Sequence, residues 1–179
     1  EEEVKETLKK AEVINADETG IQIGEQNHWM HVLCTPKTTY FFPHEKRGQE
    51  AMKEMGVLQD FNGVLCHDHW KPYFGMTNIH SLCNSHHLRG LEWVIDFKEH
   101  RWALAMKRFL IRTKNMVEAS GGVLSPEDQK KRLKAYRKSI DDGKKECPLV
   151  VRAKGSKKTK VKQSKERNLL DRLDKYENE

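Results

Sequence analysis

The chain has 179 residues, enough for a domain of ordinary size with a real core. Charged residues make up 34% and hydrophobic ones 36%, and no apolar run reaches the length of a membrane span or a secretory leader. Lys and Arg outnumber Asp and Glu by 33 to 27, a basic balance that fits a polyanionic partner without establishing one.

The acidic opening, residues 1–10, reads as a frayed helix or linker. Val13-Ile14-Asn15-Ala16-Asp17-Glu18-Thr19-Gly20 predicts a strand running into a turn at Gly20. Ile21 and Ile23 begin a second strand, and Gly24 with Asn27 suggests a hairpin. Residues 28–35 are β-favouring throughout, and Thr38 to Phe42 reads as a third strand ending at Pro43. Arg47 to Met55 is a short helix broken at Gly56. Asn62-Gly63 then turns the chain into Val64-Leu65-Cys66-His67-Asp68, an apolar strand that ends on one acid.

Three consecutive strands, a helix crossover and a further strand form a ribonuclease H-like beginning, an α/β fold with a mixed sheet. In it the strand ending at Asp68 lies parallel to the first, so Asp17 and Asp68 are expected to be neighbours. Alone, Asp68 reads more readily as a turn or capping residue. Asp17 in a matching upstream context shifts the balance toward a ligand site at the strand ends.

From Leu88 to Val117 apolar residues recur at helical spacing, until Gly121-Gly122. Ser125-Pro126-Glu127-Asp128 is a strong helix start, and that helix is expected to run to about Ile140 and stop near Asp142-Gly143. Arg152 to Arg167 is basic and nearly devoid of apolar residues. Lys154, Lys157, Lys158, Lys160, Lys162, Lys165 and Arg167 suit phosphate contact, or equally a solvated tail. Asn168 to Leu173 opens one more amphipathic helix. A first residue Glu1 and a helix cut at Glu179 lead to the expectation of a fragment.

Two carboxylates at adjacent strand ends are the chemistry of most interest. Magnesium takes hard oxygen ligands, commonly one or two carboxylates plus substrate phosphates. Two such ions activate an attacking oxygen and stabilise a leaving one. Cys83 and His86 stand one helical turn apart and read either as half of a zinc site, with Cys66, His67 or His69, or as a core thiol with a histidine supporting the acids. The four cysteines form no CxxC pair, which favours reduced thiols in a cytosolic protein. Trp70 and Tyr73 beside Asp68 are candidate nucleic-acid contacts, with packing under the loop the safer reading. Arg89 is either a phosphate contact or a helix-surface ion pair.

Asp17-Glu18-Thr19-Gly20, His67-Asp68-His69-Trp70-Lys71-Pro72-Tyr73 and Leu82-Cys83-Asn84-Ser85-His86-His87-Leu88-Arg89, followed by Glu146-Cys147-Pro148 and Asn168-Leu169-Leu170-Asp171-Arg172-Leu173, resemble the transposases of the insertion sequence 66 family. These are bacterial DDE transposases with a ribonuclease H-like catalytic domain. The resemblance implies that Asp17 and Asp68 are the first two catalytic acids and hold Mg2+ or Mn2+. It implies DNA partners, both element ends and target, and leaves homo-oligomer assembly open. It places the protein with the bacterial nucleoid in the cytoplasm. Cys83 and His86 match a Cys-x-x-His signature of such enzymes. The third acid, a glutamate in a downstream motif, matches no residue here, so the chain alone is expected to be inactive. Where relatives carry an acid after the arginine, this chain has Gly90.

The expected division is a linker over 1–11, a partial catalytic core over 12–118, and a helical insertion over 119–179 with its basic linker at 152–167. Two readings from other classes stand beside this one: a non-catalytic basic DNA-binding protein, and a zinc-stabilised interaction module.

Overall fold

One unbroken strand, β1 (Val13–Ile23), organises the computed structural model, which describes residues 1–76, 79–151 and 161–179. No turn forms at Gly20, because pairing with β2 (Gln26–Cys34) continues from Asn15–Cys34 to Ile23–Gln26. The chain reverses instead at Gly24, whose φ of 61° is the left-handed conformation that a two-residue hairpin requires. β3 (Thr39–His44) pairs antiparallel with β2 and runs through Pro43, where the sequence suggested an end. Proline is tolerated there because β3 is the sheet edge and need not donate outward.

After α2 (Gln49–Glu54), β4 (Val64–His67) returns parallel to β1. A 3₁₀ turn, Lys71–Gly75, leads to β5 (Ile79–Leu82), parallel to β4. Four residues with a single apolar pair give little periodicity, which is why the sequence did not reveal β5. The result is a five-stranded mixed sheet in the order β3-β2-β1-β4-β5.

Alternation along the strands builds the core on one face. Ile14 and Ala16 of β1, Leu33 of β2 and Leu65 of β4 are buried there with Met52 of α2, Leu58, and Leu8 of α1 (Glu2–Lys9). Gly63 admits β4 to this arrangement. A Cβ on it would lie 2.5 Å from the Glu12 carbonyl and 2.8 Å from that of Ala11, and Val64 N–H donates to the Glu12 carbonyl at 2.8 Å. Gly63→Ala is therefore expected to destabilise by about 1–3 kcal/mol, since two backbone oxygens must move. A urea unfolding curve checks this, and an unchanged midpoint would contradict it.

The chain divides into two compact units, Glu1–Cys83 and Asn84–Asn178. The second is helical: α3 (Asn84–Lys98), α4 (Arg101–Ala119), α5 (Pro126–Glu146) and α6 (Lys165–Lys175). The continuous periodicity of residues 88–117 conceals a break at Glu99, with φ 54°, followed by His100. Glu146 stabilises the new helix start by accepting the N–H groups of Arg101 and Trp102 at 2.8 and 3.2 Å. Ser125 caps α5 as its sequence suggested, accepting the Asp128 N–H at 3.1 Å.

α5 does not stop near Gly143. A Cβ at Gly143 would lie 2.6 Å from Leu170 Cδ1 and 3.0 Å from Trp102 Cδ2, so this glycine lets three helices approach rather than ending one. Gly90 does the same in α3, where a Cβ would lie 3.2 Å from Leu169. Among the described residues no helix is long and apolar enough to cross a membrane.

Candidate functional site

Continued two residues past its last pair, the β1–β4 register brings the two acids to one level. β1 and β4 pair as Val13–Val64, Ile14–Leu65 and Asn15–Cys66, and the same offset carries Asp17 to the level of Asp68, one residue beyond the end of β4. Alternation, continued one residue past β4, assigns them to one face. Ile14 and Ala16 are buried while Asn15 and Asp17 are exposed; Leu65 and His67 are buried while Cys66 is only half-buried, and one further step brings Asp68 to the side of Cys66. Neighbouring strands lie about 4.8 Å apart, within the span of one cation or a bridged pair. Asp17 Oδ1 accepts the Glu18 N–H at 2.9 Å, and Asp68 Oδ1 accepts the Trp70 N–H at 2.8 Å in a tight turn.

Glu18, beside Asp17, faces the other way. Its side chain is 1% exposed, and it receives Arg47 Nε and Nη2 on Oε1 at 2.8 and 2.6 Å. Its second oxygen accepts the Tyr73 hydroxyl. The Arg47 guanidinium also lies over the rings of Trp70 at 4.1 Å and Trp29 at 4.8 Å. Burial pushes the Tyr73 hydroxyl up, as do the charge of Glu18 and the hydrogen bond to it, then the charges of Asp68 and Asp17.

His67 underlies Asp68. It is fully buried, with its ring stacked on Tyr73 at 4.8 Å between centroids and edge-on to Phe74 at 4.9 Å. Burial pushes its imidazole down to about 4, partly opposed by the hydrogen bond to the Asp68 carbonyl. A carbonyl only accepts, so His67 Nδ1–H donates to Asp68 O. Nε2 is then the acceptor for His80 Nδ1–H at 3.1 Å. The backbone of the second acid is thus held from below by an imidazole pair.

Among the described residues, no three His, Cys, Asp or Glu side chains gather as a metal cage. A family model described as "Transposase IS66 family" matches residues 1–178. The chain belongs to the IS66 transposase family. No curated protein and no solved structure matches it.

For an IS66-family transposase, the remaining expected site residues fall in varied places. Cys83 lies level with Asp68 when the β4–β5 pairing of His67 with Leu82 is continued one step, and its N–H donates to the His67 carbonyl at 2.8 Å. Its thiol and that of Cys66 are close enough to interact, and Cys66 is pushed up to about 11, chiefly by burial. His86 falls in the first turn of α3, in the helical unit.

Tyr73 is buried, with its hydroxyl committed to Glu18, and Trp70 is half-buried against Arg47. Arg89 is exposed on α3, as is Lys162 ahead of α6. Lys165 Nζ lies 4.8 Å over Trp93. Arg167 is buried, donating to the Cys147 carbonyl and to Asp171 Oδ1, both at 2.7 Å, which is a structural role within the helical unit. Lys154, Lys157, Lys158 and Lys160 lie outside the described residues.

Sequence reasoning missed Glu18 and Arg47, and weighed His67 only as a zinc ligand rather than as a buried support beneath Asp68. Glu18 adjoins Asp17 and could have been weighed as a carboxylate. Arg47 lies 29 residues from it, and nothing local marks the pair.

Proposed function

We propose that the strand-bearing unit belongs to the catalytic core of a DDE-type DNA transposase with a ribonuclease H-like sheet, and that Asp17 and Asp68 hold Mg2+ or Mn2+ there. The shared register and face of the two acids carry this reading. The strand order supports it, since a parallel pair between the first and fourth strands is what that fold was expected to supply. The helices from about residue 90 onward read as the insertion within that core, and Cys83 as a side chain supporting the acids.

When bound, divalent ions supply an activated attacking oxygen and a stabilised leaving oxygen for in-line phosphodiester cleavage and strand transfer. The chain's own contribution is positional. Asp17 projects from a strand held on both sides, by β2 and β4. Asp68 is fixed by its turn to Trp70 and by the His67 beneath it. Both present oxygens on the open sheet face, where a DNA phosphate can approach without displacing the core. Arg89, Lys162 and the lysines of 152–160 are proposed DNA contacts at the level of charge.

Isothermal titration of Mn2+ into the chain and into an Asp17→Asn, Asp68→Asn double variant tests the reading. Binding present in the parent and lost in the variant is the expected result. Equal traces for both would sink the metal-site reading and favour a non-catalytic DNA-binding protein.

A further inference from the structure

We infer that Glu18, Arg47 and Tyr73 form a positioning device that sets the spacing of Asp17 and Asp68 for a divalent ion. The inference rests on the reading of those two acids given above. Glu18 is not itself a candidate ligand: it projects to the opposite face from Asp17, is 1% exposed, and has both oxygens engaged by protein donors.

The three members of the network come from three segments. Glu18 belongs to the strand that bears Asp17, Arg47 to the segment before α2, and Tyr73 to the turn that follows Asp68. One buried carboxylate therefore ties the strand of the first acid to the loop of the second. Arg47 adds a second tie: its guanidinium lies 4.1 Å over Trp70, whose N–H donates to Asp68 Oδ1 at 2.8 Å. On the other side, the Glu18 N–H donates to Asp17 Oδ1 at 2.9 Å. Each acid is thus one hydrogen bond from a member of this network or its immediate neighbour.

Stability gives the sequence little reason for such a network. A buried ion pair can often be exchanged for apolar residues of similar volume without loss. What apolar residues cannot supply is direction. The Arg47 fork and the Tyr73 hydroxyl fix the orientation of Glu18 and the turn against it, and a metal pair of carboxylates is sensitive to misplacement well below 1 Å.

Electron paramagnetic resonance of Mn2+ tests this on the full chain, comparing the parent with Glu18→Gln, Tyr73→Phe and Asp17→Asn, at a temperature where circular dichroism shows each folded. The N–H donors to the two acids are backbone groups that both variants keep. Glu18→Gln and Tyr73→Phe are therefore expected to weaken Mn2+ binding by about 10-fold, the low end of what loss of a direct outer partner causes. At saturating Mn2+ they should also change the line shape of the bound ion, which a loss of stability alone would not do. Asp17→Asn should abolish binding.

Affinity and line shape unchanged in Glu18→Gln and Tyr73→Phe, with binding lost in Asp17→Asn, would overturn the positioning role and leave the metal site standing. Binding unchanged in Asp17→Asn would overturn the metal site, and the positioning role with it. Should Glu18→Gln fail to fold, Tyr73→Phe carries the test, since it removes one hydroxyl and keeps the ring.

Discussion

Acidification from pH 7.5 to pH 5 is expected to weaken the chain by about 2 kcal/mol through His67 alone. The folded imidazole, buried beneath Asp68, titrates at about 4, whereas an unfolded histidine titrates near 6.5. Between those values the unfolded chain holds a proton that the folded chain does not, so stability falls as pH falls. The contribution is complete above about pH 7 and is lost progressively on the way down to about pH 4, with a ceiling of roughly 3 kcal/mol. Most carboxylates keep their charge at pH 5, so the effect can be read before general acid unfolding begins. Urea midpoints at pH 7.5 and pH 5 for the parent and for His67→Phe provide the check. The variant keeps an aromatic ring against Tyr73 and Phe74 and removes the titrating group. An equal pH dependence in both proteins would show that His67 is not the cause.

Trp102→Ala is expected to remove about 3–5 kcal/mol, a large share of the 5–15 kcal/mol that holds a typical domain together. Trp102 is 1% exposed in a cluster with Leu91, Val94, Met106, Ile140 and Leu170. Its indole rests directly against Gly143, and its Nε1–H donates to His100 Nδ1 at 3.3 Å. Truncation leaves a cavity that the backbone of α5 cannot fill. It also strips a donor from His100, which contacts the buried Cys147 sulfur at 3.0 Å. Urea unfolding followed by circular dichroism measures the loss. A destabilisation under 1 kcal/mol would mean that the helices close over the gap.

The Glu146-Cys147-Pro148 stretch takes its meaning from the same region. Glu146 caps α4, and the Cys147 carbonyl receives buried Arg167. A motif met in the sequence as part of a family pattern is, in the structure, the joint among α4, α5 and α6. Arg167 shows how charge alone misleads. In sequence it closes a basic run suited to phosphates, but its guanidinium is spent inside the helical unit.

Local chemistry was enough to place strands between residues 13 and 44 and at 64–67, the Ser125-Pro126 helix start, and Asp17 and Asp68 as acids on or just after strands of one sheet, but not β5. Alternation and capping act over a few residues, so a single sequence displays them. Tertiary structure decided what depends on partners far along the chain. Pairing with β2 carried β1 through Gly20, and an edge position admitted Pro43. Close approach of Trp102 and Leu170 explains Gly143 inside a helix rather than at its end. The break at Glu99 lay hidden because the helical period continues on both sides of it. Glu18 became a buried anchor only when Arg47 and Tyr73 reached it from distant segments. A buried charge needs its counter-charge in three dimensions, and a linear pattern does not record where that counter-charge will be.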